Sequence, residues 1–265
     1  MSGEGDSRRA GERDPGGTPG IGKPLRPHPL RIREYPSDEA RRRQIDGWFD
    51  ASAQGYDFIT QLMSFGSGSR YRRQVLLREG LAPGMSLLDV ACGTGVLTSH
   101  GQRIVGPRGL VLGLDPSAGM LVEARRHGAR RLVRANAEAL PLADERFDLL
   151  SMGYALRHVA DLRATFREYR RVLKSGGKVL ILEITPPGSR ISFHLLKLYL
   201  GRVIPAIARF GRGGRSARDL MKYYWDTIEQ CVAPAEILGA LEDAGFHQAL
   251  RRVEMGILSS YTAIR

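Results

Sequence analysis

The chain has 265 residues, 42% of them hydrophobic and 26% charged, enough apolar material for one large domain and too much for wholesale disorder or a fibrous class. Forty basic against 28 acidic residues leave a net charge of +12, which favours an anionic partner, either a phospholipid surface or a nucleic acid. Two cysteines, Cys92 and Cys231, are too few for a disulfide framework and lack the spacing of a zinc site. No run reaches the roughly 18 consecutive apolar residues of a membrane span, and the N-terminus is charged where a signal peptide would be apolar. The expectation is a protein of a reducing compartment, neither secreted nor integral.

Residues 1–36 hold Pro15, Pro19, Pro24, Pro27, Pro29 and Pro36 among Gly, Arg and Glu without an apolar period, so they read as a mobile tail that cannot offset the entropy of ordering. Ser37-Asp38-Glu39 is a helix-capping start for a helix through Arg41, Ile45, Trp48 and Phe49, and a second helix is expected over Phe58 to Leu77. From Ser86 the pattern changes to short apolar runs separated by helical stretches: Leu87–Val90, Leu110–Leu114, Leu132–Ala135, Phe147–Met152 and Val179–Ile184. Alternation of this kind means βαβ units and a parallel sheet. A last helix is expected from Pro234 to Ala244, stopped by Gly245, before strands through Val253 and Tyr261–Ile264. The expected architecture is a Rossmann-like, seven-stranded, mostly parallel α/β domain over 37–265 with helices on both faces. Its ligand belongs beyond the carboxyl ends of the strands, where the strand order switches.

Leu88-Asp89-Val90-Ala91-Cys92-Gly93-Thr94-Gly95 runs from a strand into a Gly-x-Gly turn that opens a helix, letting the backbone approach a ligand. Twenty residues beyond Gly95, Asp115 ends the next strand, where an acid grips the two hydroxyls of a ribose. Val96-Leu97-Thr98 follows in place of a pyrophosphate-binding helix start, so the expected ligand is a nucleoside without phosphates. Taken singly, Asp115 reads equally as a cap ahead of Pro116-Ser117 and Asn136 as a turn residue.

These segments, together with Asn136-Ala137-Glu138-Ala139-Leu140-Pro141, resemble the successive motifs of class I S-adenosylmethionine-dependent enzymes. Phe49 to Tyr56-Asp57, Leu62-Met63-Ser64-Phe65-Gly66, Leu156-Arg157 and Arg171-Val172-Leu173-Lys174-Ser175-Gly176-Gly177 resemble the UbiE-type C-methyltransferases of ubiquinone and menaquinone biosynthesis. The resemblance implies S-adenosylmethionine as cofactor, with Gly93, Thr94, Gly95 and Thr98 around its amino-acid end, Asp115 on the ribose, and Asn136 and Ala137 beside the adenine. It implies a polyprenyl quinone as substrate and Tyr56, Asp57, Arg157 and His158 as catalytic candidates.

The substrate side departs from the family. Tyr56-Asp57-Phe58-Ile59-Thr60-Gln61 replaces Tyr-Asp-x-Met-Asn-Asp, and Gly68-Ser69-Arg70-Tyr71-Arg72 replaces His-Arg-Leu-Trp-Lys. Arg157-His158 stands for an Arg-Asn pair, and Gly153 for a serine. His158 reads equally as a helix-end residue bonded to backbone. The block Tyr223-Tyr224-Trp225-Asp226-Thr227-Ile228-Glu229-Gln230-Cys231-Val232, with Gly256 to Ala263, resembles the rhodoquinone-making branch of the superfamily. That resemblance implies exchange of a ring methoxy for an amino group, S-adenosylmethionine as amino donor, and a divalent metal such as Mn2+ with Asp57 and His158 as candidate ligands. Ring C-methylation is the alternative.

Between Ser189 and Lys222 stand eight basic residues and one acidic, +7 of the total +12, in a segment also apolar at Ile191, Leu195, Leu198, Ile207 and Phe210. The expectation is a basic helical lid, 189–222, in peripheral contact with an anionic membrane, a cytoplasmic protein held at the inner membrane. A lid whose apolar face is simply core reads equally well. Nucleic acid is not expected, because no aromatics interleave with the basic residues for stacking.

Overall fold

The computed structural model describes residues 24–29, 37–63, 67–210 and 214–265. Its centre is a seven-stranded sheet in the order β3-β2-β1-β4-β5-β7-β6: β1 (Ser86–Val90), β2 (Leu110–Asp115), β3 (Leu132–Arg134), β4 (Phe147–Gly153), β5 (Leu173–Ile184), β6 (His247–Glu254) and β7 (Leu258–Ile264). The first five strands pair in parallel, and β7 runs antiparallel to both β5 and β6. All five residues of β1 are buried, as a central strand covered by helices on both faces requires. The sheet is continued towards β3 on one side of β1 and towards β4 on the other, so the crevice at the strand ends opens above β1 and β4.

The expected strands are all present, within one to three residues at most ends. β5 is the exception: it begins at Leu173 instead of Val179, because Lys174 to Gly177 pass through a bulge beside Phe147. The helices α3 (Val96–Val105), α4 (Ala118–Arg126), α5 (Leu162–Val172) and α9 (Pro234–Asp243) cover the sheet. α5 buries Leu162, Phe166, Tyr169 and Val172, a stripe at helical spacing against the strands.

Two expectations before the sheet are corrected. A single helix α1 (Asp38–Met63) replaces the separate starts near Arg41 and Phe58, and α2 (Gly68–Arg78) follows. Ser37 caps α1, its Oγ accepting from Ala40 N at 3.1 Å; no proline interrupts Asp38–Met63, and Gly47 and Gly55 are carried within the helix. The tail reading fails at 24–29: Leu25 O accepts from Leu162 N, Pro27 O from Val232 N, and Leu25 N donates to Asp161 Oδ1. Backbone pairing of this kind anchors a segment that composition alone leaves mobile. The rest of the expected tail, 1–23 and 30–36, lies outside the described residues.

Helices follow β5 in the segment where the lid is expected. It comprises α6 (Arg190–Leu198), a π-turn (Tyr199–Val203), α7 (Ile204–Ala208) and α8 (Gly214–Glu229), the last running past Lys222. Its apolar residues divide between two faces. Leu200, Ile204, Ala208, Leu220 and Trp225 form a core with Ile45 and Ile59 of α1, whereas Ile191, Leu195 and Phe210 face outward. α1 and the lid roof the crevice.

Candidate active site

Under that roof lies a cavity of about 320 Å³, reaching from the Gly-rich turn to the lid; this is the size of a small-molecule site. Its floor is the end of β1 and the turn after it. Gly93 sits at φ +54°, where an added Cβ would meet no atom within 4 Å, so its backbone faces open space. Gly93 N donates to Asp115 Oδ2 at 2.8 Å and Ser117 N to Oδ1 at 2.9 Å. Asp115 therefore serves the turn and the start of α4 together, with one acceptor position still free on each oxygen. Burial pushes its pKa up to about 6, against the pull of those two N–H groups.

Gly93, Thr94, Asp115, Asn136 and Ala137 all line the cavity. Gly95 and Thr98 do not. Thr98 is fully buried, its Oγ1 donating to Asp89 Oδ2 at 2.6 Å while Ser151 Oγ donates to Oδ1 at 2.8 Å. Its place is beneath the turn, supporting it. Gly95 starts α3 at φ +82°, where a Cβ would stand 3.1 Å from Ala124 Cβ. Gly95→Ala is expected to cost about 1–2 kcal/mol from the left-handed backbone alone, read as a lower melting temperature with weaker nucleoside binding.

Asp57, expected at the reaction centre, lies outside the cavity wall. Its Oδ1 accepts from Thr94 Oγ1 at 2.5 Å and its Oδ2 lies 3.3 Å from His127 Nδ1, so it ties α1 to the outside of the turn. Asp50 does the same one helical stretch earlier, accepting from Ser117 Oγ at 2.5 Å and Gly119 N at 2.9 Å. Asp57 and His158, the candidate metal ligands, have different partners, Thr94 and His127 for the one and Tyr223 for the other, and no group of three His, Cys, Asp or Glu side chains suited to a metal occurs among the described residues. The residues present do not fit Mn2+.

The opposite wall is aromatic. His158 follows β4 on a short 3-10 turn (Leu156–His158), stacks on Tyr223 at 5.4 Å, and meets Phe49 edge-on at 5.5 Å and Tyr224 at 5.6 Å. Its Nδ1 is 3.2 Å from Tyr223 Oη, so the ring is tied to a side chain and not to backbone. Nε2 is buried without a hydrogen-bond partner among the described residues, on a ring that lines the cavity. Burial first, then the neighbouring Arg157, hold its pKa well below the ordinary value; the imidazole is neutral at physiological pH. Tyr56 and Tyr224 share a short hydroxyl–hydroxyl bond, and burial followed by Tyr224 keeps the Tyr56 phenol protonated.

Arg157 is fully buried but does not line the cavity. Nη1 donates to Glu183 Oε2 at 2.6 Å, and Cζ lies 4.2 Å over the Tyr224 ring. Its place is behind the aromatic wall. Arg72 and Tyr154 do line the cavity, Arg72 Cζ lying 4.7 Å from the Tyr154 ring centroid. Sequence reasoning passed over both; Tyr154, a non-glycine residue at φ +62° right after a strand, carries no signal in the sequence.

A seven-stranded sheet with one antiparallel strand and a nucleoside-sized cleft beyond β1 and β4 defines a class I S-adenosylmethionine-dependent methyltransferase. The fold is shared with solved S-adenosylmethionine-dependent methyltransferases from Aquifex aeolicus (TM-score 0.55, 20% identity, 78% of this chain and 97% of that one) and Thermotoga maritima (TM-score 0.58, 18% identity, 83% and 99%). Residues 37–265 match the ubiE/COQ5 methyltransferase family, and the chain belongs to it. Relatives include the ubiquinone/menaquinone biosynthesis C-methyltransferase UbiE of Shewanella halifaxensis, 34% identical over 81% of this chain and 88% of that protein. The demethylmenaquinone methyltransferase of Symbiobacterium thermophilum is 35% identical over 80% and 88%. The protein is thus an S-adenosylmethionine-dependent transferase; a separate rhodoquinone-making branch finds no support in these relationships.

Proposed function

We propose that the protein methylates a ring carbon of a reduced polyprenyl quinone in ubiquinone or menaquinone biosynthesis, the activity named for its relatives. This replaces the amino exchange expected from the C-terminal block. The observation that carries the reading is one cavity joining two kinds of wall: the Gly93–Asp115 cradle at one end, and the neutral His158 ring, with Nε2 unpartnered, at the other. S-adenosylmethionine, when bound, supplies a methyl group activated for attack by an electron-rich carbon. Asp115 holds the ribose, Gly93 and Thr94 the amino-acid end, Asn136 and Ala137 the adenine.

His158 takes the role of base. With Nδ1–H donating to Tyr223 Oη, Nε2 carries a free lone pair and accepts the proton the ring carbon loses as its new C–C bond forms. A depressed pKa makes a weak base, which suffices because a ring carbon bearing both proton and methyl is a strong carbon acid. The phenol groups of Tyr56 and Tyr224 orient the ring oxygen, and Arg157 positions Tyr224 from behind. The apolar roof of α1 and the lid excludes water.

The test is a quinol methylation assay followed by mass spectrometry of the lipid: methylation adds about 14 mass units, whereas methoxy-to-amino exchange removes about 15. His158→Ala is expected to lower kcat by about 10²–10⁴ with S-adenosylmethionine affinity unchanged. A product lighter by the exchange mass, or full turnover in the variant, would overturn the respective half of the proposal.

A further inference from the structure

The lid carries an apolar stripe that none of the described residues covers. Ile191 (75% exposed), Leu195 (63%) and Leu198 lie at i, i+4 and i+7 of α6, and the stripe goes on through Val203 and Ile207 to Phe210 (86%). By length and composition alone Arg190–Ala208 is long and apolar enough to cross a membrane, through averaged hydropathy and not an unbroken apolar run. Its other face excludes such a course. Leu200, Ile204 and Ala208 are buried in the roof core with Leu220 and Trp225, and Gly201 packs so closely on Trp225 that a Cβ would come within 3.2 Å of the indole. A helix held by protein along one face and bare along the other lies in an interface plane.

Charge selects the occupant. Arg190, Lys197, Arg202 and Arg209 flank the stripe, and no acidic residue occurs from Ser189 to Arg218. That pattern suits anionic headgroups above acyl chains.

The stripe also adjoins the mouth of the cavity. Leu196, Tyr199 and Leu200, on the lid's inner face, line the cavity; so does Met255 in the β6–β7 turn, and Met255 is 77% exposed. A side chain both lining a cavity and open to solvent marks a place where it reaches the surface; Ser67 and Asn136 mark polar places, and Met255 marks an apolar one. We propose that α6 and α7 dock in the plane of an anionic phospholipid bilayer, with the mouth between α6 and the β6–β7 turn facing the lipid, so that an apolar substrate tail passes from bilayer to cavity without crossing water. The tail-entry half rests on the quinone reading; the docking half does not.

The experiment is flotation of the full chain with vesicles of phosphatidylcholine alone and of phosphatidylcholine mixed with phosphatidylglycerol. The chain is expected to float with the mixed vesicles at least tenfold more tightly, in a salt-sensitive manner. The triple substitution Ile191→Glu, Leu195→Glu, Phe210→Glu touches no cavity residue; it is expected to lose that binding by tenfold or more while S-adenosylmethionine affinity stays at the wild-type value, which certifies the fold. Arg202→Gln with Arg209→Gln keeps the stripe and is expected to weaken binding to the mixed vesicles by about tenfold. The triple variant should methylate a short-chain soluble quinol normally and a long-chain quinol in vesicles poorly. Absence of methylation of the soluble quinol by both proteins would sink the quinone reading and leave docking standing. Equal flotation of wild type and triple variant would overturn docking, as would a concentration-dependent dimer, or RNA retention without vesicle binding, abolished by the same substitutions.

Discussion

Replacing Asp115 by alanine is expected to weaken S-adenosylmethionine binding by about thirtyfold to a thousandfold, the equivalent of roughly 2–4 kcal/mol for a buried, charged acceptor of two hydrogen bonds. The loss has two sources. The ribose hydroxyls lose their carboxylate, and Gly93 N, now held at 2.8 Å by Oδ2, loses the contact that fixes the turn. Asp115→Asn keeps the shape and one acceptor oxygen, so its loss should be smaller. The same carboxylate gives a pH signature: because burial raises its pKa to about 6, protonation begins well above the range of an ordinary aspartate near 3.9. Wild-type affinity should hold at pH 7.5 and fall as pH drops through 6, whereas the asparagine variant, which cannot titrate there, should be flatter. Calorimetric titration across that range decides the matter; wild-type affinity in the alanine variant would place the ribose elsewhere.

Asp115 was legible because its position follows from local pattern plus one rule of pairing. β1 and β2 align in parallel with Val90 opposite Leu114, so the acid at the end of β2 must stand beside the turn that leaves β1. Gly95 and Thr98 carry the same motif yet face away from the cavity, since the left-handed turn at Gly95 starts α3 with Thr98 rotated down onto Asp89. The motif marks the loop; which side chain faces the ligand is a matter of three-dimensional direction. Asp57 was misplaced for a related reason. Its partners Thr94 and His127 are distant in sequence, and no periodicity within α1 encodes them. The departures on the substrate side share one place: Tyr56, His158 and Tyr224 line the same wall of the cavity, with Tyr223 stacked behind His158, so replacements far apart in the chain belong to a single repacked surface.

Glu183 shows what a sequence reading can miss even when the signal is visible. It stands inside the apolar run Val179–Ile184, and a carboxylate in a central strand must be paired or else neutral. The pair is Arg157: Nη1 lies 2.6 Å from Oε2, with both side chains essentially without solvent contact. Leu156 N donates to the other oxygen, Oε1, at 2.9 Å. Burial raises the Glu183 pKa and the guanidinium opposes that rise, while Arg157 itself stays protonated. Forming such a pair gains little net stability, but removing one partner strands the other, at about 3–5 kcal/mol. Glu183→Gln is the sharpest probe, because the amide oxygen still accepts from Leu156 N while the NH2 in place of Oε2 removes the charge and the acceptor of Arg157 Nη1 and Ile184 N. It should leave Arg157 as an uncompensated buried cation, with Nε and Nη2 already lacking hydrogen-bond partners among the described residues, and lower the melting temperature by roughly 6–20 °C. Adding Arg157→Met should recover part of that loss, since the stranded charge goes with it, but not catalysis, since Tyr224 then loses the cation that lies 4.2 Å over its ring. Thermal denaturation of the two singles and the double, with kcat measured beside each, separates these effects. A Glu183→Gln protein that melts with the wild type would mean the pair is solvated and Arg157 is not held in place by charge.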